Sequence, residues 1–442
     1  MKIRLLNLWE SLRTSFWFIP AAMTLSAVVL SFLLVFIDKR IDSNSQHIFG
    51  FIYSGGADGA RLVLSTIAGS MITVAGVTFS ITIVALTLAS SQFGPRLLRN
   101  FMHDTGNQVV LGTFIASFAY CLLVLRTIRT MEGEVFVPNI SVAIAIVLAL
   151  AGIAVLIYFI HHVSVSMQAE QVISAVYRDL EEKMQRLFPE ESQDGVARRE
   201  DGEAMRHIAD SDYQRGVDVL AAYSGYLQAI DYNRLLEIAG EKDLLVILPR
   251  RPGDFIVAGI PLMAIKSKEE TDENTLRQLA NTVIVGSQRT PEQDAEFAVH
   301  QLVEVALRAL SPGINDPYTA ISCIDRLGSA LCFLCDKEFP STYRYDEEGN
   351  LRVVSKPVTF KGIIDAAFDQ VRQYGGQSIS VTIRLLETLG TIALQTRTGE
   401  QREAVFHQAG MILSTSREFP HEENDIADVR QRYEAILDIL GK

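Results

Sequence analysis

The stretch LVLSTIAGSMITVAGVTFSITIVALTLA, Leu62–Ala89, runs for 28 residues without Asp, Glu, Lys, Arg or His. A bilayer core of about 30 Å needs roughly 20 apolar residues at about 1.5 Å each. Three more uncharged runs surround it: Phe16–Ile37 (22 residues), Val109–Leu125 (17) and Pro138–Ile160 (23). The pattern predicts an α-helical membrane protein whose first 160 residues form four transmembrane helices. At about 42 Å the second helix exceeds the bilayer core, so it must tilt or project from it.

Composition changes sharply after residue 163. Residues 1–163 carry 10 Lys or Arg against 7 Asp or Glu, whereas the remainder carries 30 against 45. The acidic C-terminal part is long enough for soluble domains with cores of their own. Its charge argues against nucleic acid as a partner and against flat docking on anionic lipid. Cys121 falls in the third span and Cys323, Cys332 and Cys335 in one predicted helix, a usage suited to a reducing compartment. The basic N-terminus and its apolar run lack a small-residue cleavage site and read as a retained first helix. Four spans put both termini on one side. Six basic residues (Lys2, Arg4, Arg13, Arg96, Arg99, Arg178) face five on the other (Lys39, Arg40, Arg61, Arg126, Arg129), so charge hardly decides orientation. The cysteines and the acidic domain favour cytoplasmic termini.

Four domains are expected: a four-helix membrane domain (1–163), a helical stalk and linker (164–205), a small β-rich domain (206–270) and a mainly helical cytoplasmic domain (271–442). Residues 1–15 are amphipathic, and Trp9 and Trp17 suit headgroup anchoring. Gly94-Pro95 should end the second helix before a short one over Leu97–His103. No Gly or Pro occurs from Ile153 to Phe188, which predicts one helix from about Pro138 to beyond Leu180. Alternation over Val217–Ile230, an apolar run at Leu244–Leu248 and a segment Phe255–Ile265 predict strands. This part resembles the barrel-like hammerhead domains related to biotinyl and lipoyl carriers. The resemblance rests on Ser224-Gly-Tyr226, a helix over Asp231–Ala239 and the hairpin from Pro252-Gly-Asp-Phe255 to Pro261-Leu262. The turn holds no lysine, so no carrier chemistry follows. Helices are expected over 272–281, 293–310, 316–337, 361–374, 378–396, 400–416 and 422–441, with a hairpin turning at Glu348-Gly349-Asn350.

Thr66, Thr73, Ser80 and Thr87 recur every seven residues, and Gly69, Gly76 and Ser90 follow three of them by three positions. At about 100° per residue both rows share one face, drifting about 20° per heptad. Ile67, Val74, Ile81 and Leu88 are expected opposite. Such a stripe suits a pore wall; it equally suits close helix packing. Arg61 would lie at one pore mouth, and Arg96 and Arg99 at the other. No acid or base interrupts the spans, which argues against a proton-coupled pump. His161-His162, at the end of the fourth span, suit a pH sensor or simple interfacial solvation. Ser311-Pro312-Gly313 and Asn315-Asp316-Pro317 form a helix–turn–helix joint, with Asp316 as N-cap and Pro317 at the first helical position. Cys332-Phe-Leu-Cys335 has metal spacing but no second pair, so a structural helix face is expected and no metal or cofactor. Phosphate loops and hydrolase motifs are absent, so an enzyme is not expected.

The runs FSITIVALTLASSQFGPRLLRNF (Phe79–Phe101) and LRALSPGINDPYTA (Leu307–Ala320) resemble the signatures of a bacterial predicted-membrane-protein family, domain of unknown function 2254. The resemblance implies an inner-membrane protein with four spans and brings no activity or site residues. From the residues themselves, the first functional reading is a homo-oligomeric ion channel passing inorganic ions. In it the second helices line the path and the cytoplasmic domains form a vestibule. The alternative is a membrane-anchored sensor or scaffold with an acidic binding domain.

Overall fold

The computed structural model describes residues 17–42, 56–94, 104–131, 134–188 and 215–442. The amphipathic N-terminus, the short helix expected after Pro95 and the linker over 189–204 lie outside these residues. The chain divides into two compact units, residues 1–172 and 173–442.

In the first unit the four uncharged runs become helices α1 (Phe18–Asp42), α2 (Gly56–Phe93), α3 (Thr105–Leu125) and α4 (Asn139–Ser166). A short antiparallel hairpin, β1 (Arg129–Met131) with β2 (Glu134–Phe136), links α3 to α4. Helix α3 is central and packs against the other three. Its Phe114, Tyr120 and Cys121 are fully buried, together with Leu64 of α2 and Val142 and Phe159 of α4. Gly152 permits close approach: a Cβ there would lie 3.1 Å from Met71 Cε and 3.6 Å from Phe114 Cε1. At 38 residues α2 is about 57 Å long. It stops at Phe93, where Gly94 takes φ +108° before Pro95.

The single helix expected across residues 138–180 is interrupted. Helix α4 ends at Ser166, Met167 caps it, and α5 (Ala169–Leu187) starts afresh. The Gln168 N–H donates to Val165 O at 3.1 Å, a tightened last turn, and Gln168 O then accepts from Val172 N to open α5. No Pro or Gly is involved, so the apolar period continues through a backbone break.

Among the described residues of the second unit, the strands form two open sheets and no closed barrel. The five-stranded sheet has the order β3-β7-β5-β10-β9, from Arg215–Leu220, Pro261–Ser267, Leu245–Leu248, Leu351–Ser355 and Tyr343–Tyr345. The three-stranded sheet is β6-β4-β8, from Phe255–Ile256, Gly225–Ile230 and Val283–Gly286. Helices α6 (Tyr232–Glu241) and α7 (Glu273–Ala280) help close a core that includes Leu227, Leu235, Val246, Ile265, Leu279 and Val353. The pairing of β10 with β5 is parallel, Val353 opposite Val246, and ties the late hairpin into the strand-rich segment.

Six further helices follow in chain order: α8 (Ala295–Ala309), α9 (Pro317–Cys335), α10 (Phe360–Gly375), α11 (Ile379–Gln395), α12 (Gly399–Ser416) and α13 (Glu423–Leu440). Five described helices are long and apolar enough to cross a membrane, namely α1 to α4 and α9. Helix α9 packs between α8 and α11, and a Cβ on Gly328 would overlap Thr388 Cγ2.

Candidate functional site

Helix α2 turns Leu64, Ala68, Met71, Ala75, Thr78 and Thr82 toward the bundle, where all six are buried. The hydroxyl-and-glycine stripe points the other way. Thr66, Gly69, Thr73, Gly76, Ser80 and Thr87 are exposed, and Ser90 is half-buried. The aliphatic row expected to oppose the stripe does not fill that role. Ile67 and Val74 flank the core half-buried, while Ile81 and Leu88 are exposed. Small residues let α2 and its neighbours approach closely, so an Ala-rich row faces inward and the aliphatics lie beside it.

Three of the stripe's hydroxyls return hydrogen bonds to their own helix. Thr73 Oγ1 donates to Gly69 O at 2.8 Å, Ser80 Oγ to Gly76 O at 2.9 Å, and Thr87 Oγ1 to Ile83 O at 2.9 Å. This satisfies each donor without water and leaves oxygen lone pairs along the surface. Ser65, Thr66, Gly69, Ser70, Thr73 and Val74 line a shallow open groove. A Cβ on Gly69 or Gly76 would meet nothing within 4 Å, so packing within the chain does not require glycine at either position.

Of the mouth arginines, Arg61 lies half-buried on α2. Its guanidinium donates to Ile128 O at 3.4 Å and pairs with Asp58 at 3.6 Å. Arg96 and Arg99 lie outside the described residues. In the second unit Asp316 caps α9, accepting from Thr319 N at 3.1 Å and Thr319 Oγ1 at 2.6 Å, with Pro317 in the first turn. Ser311 O accepts from Ile314 N and Asn315 N, Asn315 takes φ +51°, and Pro312 and Gly313 are exposed. The joint is thus a tied-down turn, remote in sequence from the α2 stripe.

Two carboxylates outside the uncharged runs clamp the bundle, and sequence reading missed both. Buried Asp38 of α1 accepts from Ile140 N and Ser141 N, each at 3.0 Å, and from Ser141 Oγ at 2.6 Å, capping α4 from a neighbouring helix. Tyr120 OH donates to Ser141 O at 3.0 Å beside it. Toward the other end of α4, Asp104 uses one oxygen to cap α3 through Gly106 N at 2.8 Å. Its other oxygen lies 2.6 Å from His162 Nε2. Tyr158 stacks on the His162 ring at 5.3 Å between centroids. Asp38, directly after an apolar run, was the available signal. Its partner, distant in sequence, was not.

Among the described residues no group of three or more His, Cys, Asp or Glu could hold a metal ion. The four cysteines are free; Cys332 is half-buried and the others are buried.

The apolar bundle joined in sequence to a soluble α+β unit defines a helical membrane protein. The chain matches the family described as predicted membrane protein, domain of unknown function 2254, over residues 13–391, and belongs to it. It is similar to uncharacterized proteins of Mycobacterium bovis and Mycobacterium tuberculosis, each 32% identical over 406 residues. The match covers 90% of this chain and 75% of each relative. No solved structure matches.

Proposed function

We propose that the chain is a multi-pass protein of a bacterial inner membrane, with four spans, cytoplasmic termini and no enzymatic activity. In this reading it assembles with copies of itself into an ion-conducting pore. Helix α9 is then the fifth apolar helix that stays outside the bilayer. One observation carries the pore: α2 buries an Ala-rich face in its own bundle and presents hydroxyls and glycines on the other. A four-helix subunit has too few helices to enclose a wet path, so a pore needs a closed ring of subunits. Hydroxyl oxygens along the axis would solvate ions weakly enough for them to leave again.

Ionic current through purified protein in planar bilayers tests this. Thr73→Leu and Ser80→Leu are expected to abolish current while leaving expression and assembly intact. Absence of current from the unsubstituted oligomer would instead favour a membrane-anchored sensor with an acidic binding unit.

A further inference from the structure

We infer that Thr78 of α2 and Asn107 of α3 hold a buried water molecule inside the bundle of a single subunit, whether or not copies assemble. The levels of the bundle bring the two side chains together. Ala60 and Leu64 of α2 share a cluster with Tyr120 and Val124 of α3, while Met71 and Ala75 share the next with Phe114 and Val110. The two helices therefore run in opposite directions. Gly152 of α4 marks one level, because a Cβ there would lie 3.1 Å from Met71 Cε and 3.6 Å from Phe114 Cε1. Residues seven apart on a helix share a face, displaced by about two turns. Seven residues on from Met71 and Gly152 stand Thr78 and Phe159, and seven back from Phe114 stands Asn107.

At this level the apolar packing between α2 and α3 stops. Thr78 is 2% exposed and the Oδ1 atom of Asn107 is buried. Neither Thr78 Oγ1 nor Asn107 Oδ1 has a hydrogen-bond partner among the described residues. Other hydroxyls of α2 serve themselves: Thr73, Ser80, Thr82 and Thr87 each donate to the carbonyl four residues back. Thr78 does not, so its hydrogen and its lone pairs both face a guest.

Two dry polar atoms at one level are costly, and ordered water is the usual partner of such groups. Water fits both of them. It donates to the amide oxygen of Asn107 and accepts the hydroxyl hydrogen of Thr78. A bare cation would serve the two oxygens and leave that hydrogen without an acceptor. One turn nearer the start of α3, Asp104 lies 2.6 Å from His162, three residues beyond Phe159. The two levels together give the bundle a polar end next to the apolar levels of Met71, Ala75, Val110 and Phe114.

A double-mutant cycle on the full chain in detergent tests the bridge. Thr78→Val and Asn107→Leu are each expected to lower the melting temperature, since either change strands the water and the remaining oxygen. Together they should lower it by clearly less than the sum, because the second change removes a group already stranded. Additive changes, or a rise for both single variants, overturn the water. Radiolysis by a short X-ray pulse decides independently of the variants, since it turns bound water into hydroxyl radical where it sits. In the unsubstituted chain Phe159 is expected to be oxidised and Phe114 to stay intact, although both are 1% exposed. Equal labelling of the two rings overturns the site. If replacing choline by sodium or potassium at constant ionic strength raises the melting temperature, and does so less in the double variant, the guest is a cation and the water is overturned.

Discussion

At the residue scale a few polar atoms tie the membrane helices together beside their apolar packing. Asp38 holds three hydrogens at the start of α4, in a place where water cannot replace it. A helix N-terminus carries a partial positive charge, so a carboxylate there is favourable twice over. Asp38→Ala leaves buried donors unpaired at about 1–3 kcal/mol, so the melting temperature in detergent should fall by several degrees. Asp38→Asn keeps one acceptor oxygen and should fall in between. Tyr120→Phe removes a donor to a carbonyl that already serves the helix, at about 0.5–1.5 kcal/mol. A Tyr120→Phe loss equal to that of Asp38→Ala would contradict this ranking. The same scale marks a limit of sequence reading. Asp38 stood out only as the residue after an uncharged run and Asp104 lay five residues before one, and nothing local gave their partners 102 and 58 residues away.

At the element scale, glycines separate two kinds of helix contact. Gly328 lies where α9 crosses α11, and a Cβ there would overlap Thr388. Gly328→Ala should therefore destabilise the second unit by about 1–3 kcal/mol, read as a lower urea midpoint. Gly69 and Gly76 have open space instead, so alanine should stabilise an isolated subunit by up to about 1 kcal/mol through helix propensity. If copies pack closely there, the same substitutions should weaken the oligomer in native mass spectra while leaving subunit stability unharmed. Loss of subunit stability would show that intrachain packing needs those glycines. The long apolar helices were legible because crossing a bilayer is set by length and composition. The cap at Asp316 was legible because its chemistry is local. The break at Met167-Gln168 was not, since no Pro or Gly marks it and the apolar spacing runs on. Strand β8 and the division into two open sheets escaped as well. They depend on pairings such as Val285 with Leu227 and Val353 with Val246, which no local period encodes.

At the scale of the whole molecule, charge and topology make separate claims. In the second unit Arg352 is buried between Asp243 at 2.5 Å and Asp346 at 2.6 Å, joining β10 to the turn before β5. Hydrogen bonds from Arg352 and then Lys268 hold the Asp243 carboxyl below the usual range. Burial would raise Asp346, but hydrogen bonds from Arg352 and Asn350 outweigh it. Groups depressed by folding add stability above their unfolded value of about 3.9 and lose it as pH falls through the folded value. The urea midpoint of the second unit should therefore drop once pH goes below about 4. Arg352→Met should lower the midpoint at pH 7 and flatten that drop, whereas an equal drop in both proteins would remove the cluster from the account. Topology is the larger claim. Helices α1 to α4 are each long enough to cross, and the proposed orientation leaves residues 50 and 133 outside and 104 and 200 inside. Reporter fusions after those four residues should then alternate out, in, out, in. Basic residues are almost evenly divided between the two sides, so the charge rule exerts little pull and the fusions decide independently of it. A periplasmic signal at 200 with a cytoplasmic one at 133 would invert the protein. A change of side between fusions after residues 310 and 340 would make α9 a fifth span. In the four-span proposal α9 instead stays out of the bilayer, with Gly328 set against Thr388 of α11.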